Sequence, residues 1–169
     1  MVKALAKAYT RADFRREFNQ LKASPMKFTF GKGDLSHLDS KGGKEETLGT
    51  TRLEAVKNPQ GEIDKSKSQV TITLDLDRAT TPTVVAREEV HHGVQADNDP
   101  AKFDQGQHAK DSPANQAVHD QMESDAHAFA NQYYEQDDPN TRISQDEAED
   151  KIKEMMPEPS KGPAPEKPQ

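Results

Sequence analysis

Two pairs of ionisable side chains at helical spacing stand out in the middle of the chain. Glu88 and His92 are four positions apart in the run AREEVHHGVQ, and Glu123 and His127 are four positions apart in ESDAHAFA. Positions i and i+4 lie on one face of an α-helix, so each pair can point at one ion. The chain has no cysteine, so any metal site must be built from His, Asp and Glu. The spacing therefore predicts a metal site to which both pairs contribute.

Glu89 lies next to the first pair and can serve as an acid–base group at the same ion. The run Glu88-Glu89-x-x-His92 has the spacing of the H-E-x-x-H motif with its first histidine changed to glutamate. In that motif the outer residues hold zinc, and the inner glutamate takes a proton from zinc-bound water, whose pKa falls to about 7. An isolated run of this kind is more often a solvated helix face. Glu123 favours a site, because it follows far enough along the chain to approach from a second helix.

Three elements must position these residues. Between 70 and 76 apolar residues alternate with polar ones, which predicts a strand with one buried face. Thr81 as an N-cap and Pro82 at the first helical position predict a helix over about 82–96. An apolar stripe predicts a second helix over about 113–135. We therefore expect an α+β fold in which a small mixed or antiparallel sheet packs on an active-site helix and a second, C-terminal helix.

The remaining segments predict one domain with loose ends. A helix is expected over about 10–23, with Thr10 as its N-cap and Pro25 closing the segment. The expected organisation is an N-terminal packing helix within 1–26, a domain over 27–155, and a disordered Pro-rich tail over 156–169. Other expected features are a short strand at 27–29, a mobile loop at 31–44, a turn at 58–61 and a polar connection at 97–115.

Composition restricts the function classes. The net charge of −7 disfavours nucleic acid or an anionic membrane as the main partner, because phosphate groups would be repelled. No run of the sequence approaches the about 18 apolar residues of a membrane span, and the N-terminus lacks the apolar core of a signal peptide. We therefore expect a protein that is cytoplasmic in the producing cell, or one exported by a specialised secretion system.

Together these features resemble the zincin metallopeptidases of the gluzincin type, over about residues 68 to 135. Those proteins carry a strand, a helix reading roughly A-H-E-x-x-H-x-x-Q, and a later helix reading E-x-x-A-D or E-x-E-A-D. The resemblance implies that Glu89 is the catalytic base, that His92 is a metal ligand and that Glu123 is the ligand from the later helix. Glu88 stands where the first His ligand should be. Bacterial effectors and polymorphic toxins often carry compact versions of this domain.

His127 stands where the family has an aspartate that supports the first His ligand. The family's His–Asp pair would thus become a Glu–His pair, and two ligand sets follow. Glu88 binds the metal with His127 supporting it, or His127 itself binds with His92 and Glu123. The resemblance implies Zn²⁺, but ligation by Glu88, His92 and Glu123 would leave Zn²⁺ neutral rather than at +1. It would also widen the choice to Mn²⁺ or Fe²⁺.

Two functions are compatible with these features. The first is a metal-dependent peptidase that hydrolyses a peptide bond by metal-bound water with Glu89 as the general base. The second is an impaired zincin-like pseudoenzyme that binds a protein partner, with the acidic stretch 136–154 and the tail as contact regions. A di-iron helical bundle fits less well, because no second E-x-x-H occurs and a strand precedes the first helix. A polypeptide substrate is expected to lie along the edge of the 70–76 strand.

Overall fold

The computed structural model describes residues 1–41, 45–135 and 137–156, which form an α+β structure of six helices and one three-stranded sheet. The helices are α1 (Val2–Tyr9), α2 (Ala12–Ala23), α3 (Pro82–Asn98), α4 (Pro100–Gln107), α5 (Pro113–Asn131) and α6 (Gln145–Met155). The strands are β1 (Lys27–Lys32), β2 (Gly49–Glu54) and β3 (Gln69–Leu74). The expected α+β class is confirmed, and the sheet is small and mixed.

The central strand of the sheet is β3. It pairs in parallel with β1 and antiparallel with β2, so the strand order is β1-β3-β2. Val70, Ile72 and Leu74 are fully buried, as the alternating pattern predicted. The strand ends at Leu74, two residues before the predicted end, and the carboxylate of the next residue, Asp75, accepts hydrogen bonds from the Leu35 N–H and the Arg78 guanidinium. Because β3 is paired on both sides, the expectation that a polypeptide lies along its edge is wrong.

Helix α3 packs closely against the sheet and α2. A methyl group on Gly93 would lie 2.9 Å from Leu21 Cδ1 and 3.3 Å from Ile72 Cδ1. Glycine within a helix costs about 1 kcal/mol relative to alanine, but here it permits the short distance between α3 and its neighbours. The helix predicted over 82–96 is confirmed. Thr81 occupies the N-cap position, although its hydroxyl makes no capping hydrogen bond.

The N-terminal segment contains two helices rather than the single helix expected over 10–23. Thr10 ends α1, where its hydroxyl donates to the Lys7 carbonyl, and Arg11 is the N-cap residue of α2. The expected N-cap role of Thr10 is therefore wrong, because α1 already uses that hydroxyl. The two helices contribute Phe14, Phe18 and Leu5 to the core.

Two further helices lie in segments for which the sequence pattern predicted none. Asp99 caps α4 by accepting from the Lys102 N–H, inside the stretch expected to be a polar connection. Ser144 caps α6, whose Ala148 and Ile152 are fully buried and which packs against α1. Residues 145–154 of the acidic stretch 136–154 therefore belong to a helix that packs on the core.

The remaining expectations concern the loop, the tail and the membrane. The segment 31–44 begins within β1 and includes a short 3₁₀ turn at Ser36–Leu38, and residues 42–44 lie outside the described part. The tail expected to be disordered is also outside it, apart from Met156. Among the residues described, no helix combines the length and the apolar character needed to cross a bilayer.

An ion pair between a fully buried arginine and a partly exposed aspartate joins α2 to α3, and the arginine also contacts α5. The Arg87 side chain is fully buried and donates to both carboxylate oxygens of Asp13, at 3.3 and 2.7 Å. It also donates to the Phe129 carbonyl at 3.1 Å, and its guanidinium stacks over the Phe129 ring. Burial alone would raise the pKa of Asp13, but the hydrogen bonds and charge of Arg87 lower it below its usual value.

Replacing one member of this pair should destabilise the fold. Asp13→Asn removes the negative charge opposite the fully buried Arg87, and we expect the free energy of unfolding to fall by about 3 kcal/mol in denaturant titrations. The matched control is Glu154→Gln on α6, which removes an exposed pairing with Lys151 and should change stability by less than about 0.5 kcal/mol. A loss below about 1 kcal/mol for Asp13→Asn would show that Arg87 does not depend on this carboxylate.

Candidate metal centre

The predicted ligands converge where α3 and α5 pack side by side in antiparallel directions. One ligand atom from each of Glu88, His92 and Glu123 lies within 4.8 Å of the other two. His92 Nε2 is 3.4 Å from Glu123 Oε1. Two ligand atoms held about 2.1 Å from one ion at a tetrahedral angle would be about 3.4 Å apart. The separation of these two atoms therefore suits a shared ion, and the group as a whole could hold one.

His127 lies beside this group rather than within it. Its Nε2 is 2.8 Å from Glu88 Oε1 and 3.8 Å from Glu123 Oε2. The imidazole is 59% exposed, whereas the His92 side chain is 8% exposed. Of the two ligand sets left open by the sequence, the geometry favours the one in which Glu88 takes a ligand position and His127 supports its carboxylate.

Gln95 fixes the orientation of His92. Its side-chain NH₂ donates to the Met122 carbonyl at 3.0 Å, so its Oε1 is the atom that faces His92 Nδ1, at 2.9 Å. The amide oxygen can only accept, so this contact is a hydrogen bond only when His92 carries a proton on Nδ1. The Nε2 lone pair is then directed toward Glu123. Met122 is the residue immediately before Glu123, so one amide connects the two candidate ligands.

Glu89 is buried between α3 and the sheet. Thr51 Oγ1 on β2 donates to Glu89 Oε2 at 2.7 Å and also lies 3.0 Å from the Glu89 carbonyl oxygen. Gly49, two residues earlier on β2, leaves the space that the carboxyl group occupies. A methyl group there would lie 2.4 Å from both Cγ and Oε1 of Glu89. The predicted base is thus positioned by a strand that is remote in sequence.

Burial is the largest influence on the pKa values of Glu89 and His92. Burial raises the pKa of Glu89 to about 8, and the negative charges of Glu88 and Glu123 act in the same direction, while the Thr51 hydrogen bond opposes them. Burial also lowers the pKa of His92, against the influence of Glu123. A cation among the three ligands would favour the charged form of Glu89, because opposite charges at short range lower a carboxyl pKa.

Sequence reasoning missed three residues of this site. Gln95 stands three positions after His92 in the resemblance pattern, so its position was visible although its role was not. Thr51 and Gly49 carried no signal, because nothing local in the sequence shows which strand lies against Glu89. No family model, no curated protein and no solved structure matches this chain. The candidate site therefore rests on its residues and their geometry.

The contact between Gly49 and Glu89 generates a stability prediction. Gly49→Ala places a methyl group within the carboxyl group of Glu89, and we expect this overpacking to lower the free energy of unfolding by about 1–3 kcal/mol. In a Glu89→Ala background the same change should cost less than about 0.5 kcal/mol, because its steric partner is gone.

The control is Gly31→Ala on β1, where an added methyl group would meet nothing within 4 Å. It should leave stability nearly unchanged in the same denaturant titrations. Equal costs for Gly49→Ala with and without Glu89 would contradict the contact.

Proposed function

We propose that the chain is a zincin-like, metal-dependent hydrolase that cleaves peptide bonds, with Glu88, His92 and Glu123 as ligands and Glu89 as the general base. The observation that carries the proposal is the convergence of three ligand atoms from two helices within 4.8 Å, immediately beside a buried carboxyl group. The resemblance to gluzincins supplies the reaction class. A secreted effector or toxin role, as in compact relatives of that type, is part of the proposal.

The donor atoms fit a divalent cation. In the Nδ1–H tautomer His92 presents the Nε2 lone pair toward Glu123 Oε1 at 3.4 Å, and these two acceptors are compatible with each other when they share a metal cation or a proton. Zn²⁺ accepts one nitrogen and two oxygens, and two carboxylates also suit Mn²⁺ or Fe²⁺. When bound, such a cation supplies Lewis-acid chemistry, acidifying water and polarising a carbonyl group.

Each residue of the site has a distinct role in the proposed reaction. With a cation bound, Glu88 and Glu123 would supply two negatively charged oxygen ligands, and His92 would supply the nitrogen ligand. Glu89 takes and returns the proton of the attacking water, while Thr51 orients its carboxylate by a hydrogen bond. Glu123 is 40% exposed and Glu88 is 24% exposed, so solvent and substrate reach the ligands from one side.

The outer edge of β2 supports a polypeptide as the substrate class. The Leu48 carbonyl accepts from the Asp75 N–H, and the Gln107 side chain bonds both backbone groups of Leu53 on the side away from β3. Backbone groups alternate in direction along an antiparallel strand, so those of Gly49, Thr51 and Leu53 all point away from β3. In the described part of the chain, Gly49 and Thr51 have no backbone partner on that side. An extended peptide adding to this edge would pass beside Glu89.

Metal binding is the first test. Protein purified without chelator should bind one equivalent of Zn²⁺ by calorimetry and elemental analysis, with Mn²⁺ and Fe²⁺ as competitors. His92→Ala and Glu123→Gln should each weaken binding by more than about 100-fold, since even the loss of an outer partner costs about 10- to 100-fold. The control is His37→Ala, an exposed histidine in the 3₁₀ turn at Ser36–Leu38, which should bind as the parent does. A parent that takes up none of these cations would refute the proposed centre.

Activity is tested by exchanging the acid and the imidazole. The paired change Glu88→His and His127→Asp keeps an acid–imidazole contact at this position and adds one positive charge to the loaded centre. We expect the double variant to bind Zn²⁺ more tightly and to cleave an unfolded protein substrate faster than the parent. Glu89→Gln in that background should remove the cleavage and keep the metal, because an amide cannot accept the proton.

The same experiment distinguishes the alternative function. Metal binding without cleavage in both the parent and the double variant would favour a pseudoenzyme that uses the scaffold to bind a protein partner. Cleavage by the parent that Glu88→His destroys would instead show that Glu88 has a role of its own in a different mechanism.

A further inference from the structure

We propose that Gln95 is a positioning residue that sets both the tautomer of His92 and the distance between His92 and Glu123. The inference rests on the proposed metal centre and goes beyond it, because it concerns how one amide on α3 organises ligands from two helices.

The neighbours of the Gln95 amide determine which end of it faces His92. Met122 O is a pure acceptor, so the nitrogen of Gln95 must face it, and the oxygen must face His92 Nδ1. A reversed amide would place the Gln95 oxygen against the Met122 carbonyl oxygen, and two acceptors cannot form a hydrogen bond with each other, whichever tautomer His92 adopts. The Met122 carbonyl therefore determines which nitrogen of His92 remains free to bind a cation.

The Met122 carbonyl that Gln95 binds lies on the helix that carries Glu123. Gln95 lies one turn beyond His92 on α3, and Met122 directly precedes Glu123 on α5. The hydrogen bond at 3.0 Å therefore fixes the position of α5 next to the ligand that it carries. The Met122 side chain is buried against α4, where Gly106 makes room for it. A methyl group on Gly106 would lie 2.2 Å from Met122 Cε. Apolar packing and one amide thus hold this turn of α5 together.

Two variants separate the positioning role from a general packing role. Gln95→Met keeps the length of the side chain and removes both hydrogen bonds. Gln95→Glu keeps an acceptor for His92 Nδ1 and removes the donor to Met122. The control is Gln121→Met on α5, an exposed glutamine that donates only to Asp125 one turn along.

The tautomer is measured on the full chain by long-range ¹H–¹⁵N correlation of the His92 ring. The parent and Gln95→Glu should show the proton on Nδ1, whereas Gln95→Met should show a mixture. In calorimetry Gln95→Met should weaken Zn²⁺ binding by about 10- to 100-fold, Gln95→Glu should lie closer to the parent, and Gln121→Met should be unchanged.

Other results of these measurements would contradict the positioning role of Gln95. If the Nδ1 proton persists in Gln95→Met, or if both Gln95 variants lose affinity equally and in proportion to a fall in melting temperature, Gln95 is only a packing residue. A further result is a parent that binds no metal and still shows the His92 proton on Nδ1, while Gln95→Met shows a mixture of tautomers. That result would refute the proposed function but support the control of the His92 tautomer by Gln95.

Discussion

The antiparallel contact between α3 and α5 is the constraint on which the candidate site depends. Four polar contacts follow one another along this interface. The two inner contacts involve candidate metal ligands, and in each of the two outer contacts a side chain of α3 donates to a backbone carbonyl of α5. The contacts are Arg87 to the Phe129 carbonyl, Glu88 to His127, His92 to Glu123, and Gln95 to the Met122 carbonyl. A helix rotated by one residue would turn these side chains by about 100° and separate all four pairs. The outer two contacts therefore define the register in which the inner two can meet.

The same interface concentrates negative charge. Glu88, Glu89 and Glu123 lie close together, and Glu89 has little access to water. Like charges at short range are unfavourable unless a proton or a cation compensates them. The His127 ring contacts Glu88 from the solvent side, and a proton on Glu89, whose pKa burial raises to about 8, removes the negative charge on the buried side. A divalent cation could compensate the same negative charges. The residues are therefore compatible with two states, one with a bound cation and one with a protonated Glu89.

The parts of this structure that could be predicted from sequence are those with a strong local period. The alternation at 70–76 gave the central strand, and the i,i+4 pairs gave the two helices whose ligands converge. The misses have physical reasons. Helix α1 is short, and its pattern runs directly into that of α2, so Thr10 was assigned to the wrong helix. Helices α4 and α6 bury few side chains each, which leaves little periodic signal. The order of the strands depends on long-range pairing, which no local pattern contains.

The site shows the same division between local and long-range information. The positions of Glu88, Glu89 and His92 follow from one turn of one helix, and Glu123 follows from its spacing to His127. Thr51 approaches Glu89 from a strand 38 residues earlier in the chain. Only the folded sheet could reveal that contact. The role of Gln95 required the Met122 carbonyl to be located, since without it either end of the amide could face His92.

Gln107 affects how far the outer edge of β2 can pair with a strand from another molecule. Its amide donates to the Leu53 carbonyl and accepts from the Leu53 N–H, which are the two bonds that a neighbouring strand would make. An edge strand with unpaired backbone groups is a template for uncontrolled association between copies. The Gln107 side chain, from α4, blocks this pairing at Leu53. On the β2 edge, outward-facing backbone groups of the described residues then remain open only at Gly49 and Thr51, next to Glu89, whereas β1 forms the other edge of the sheet.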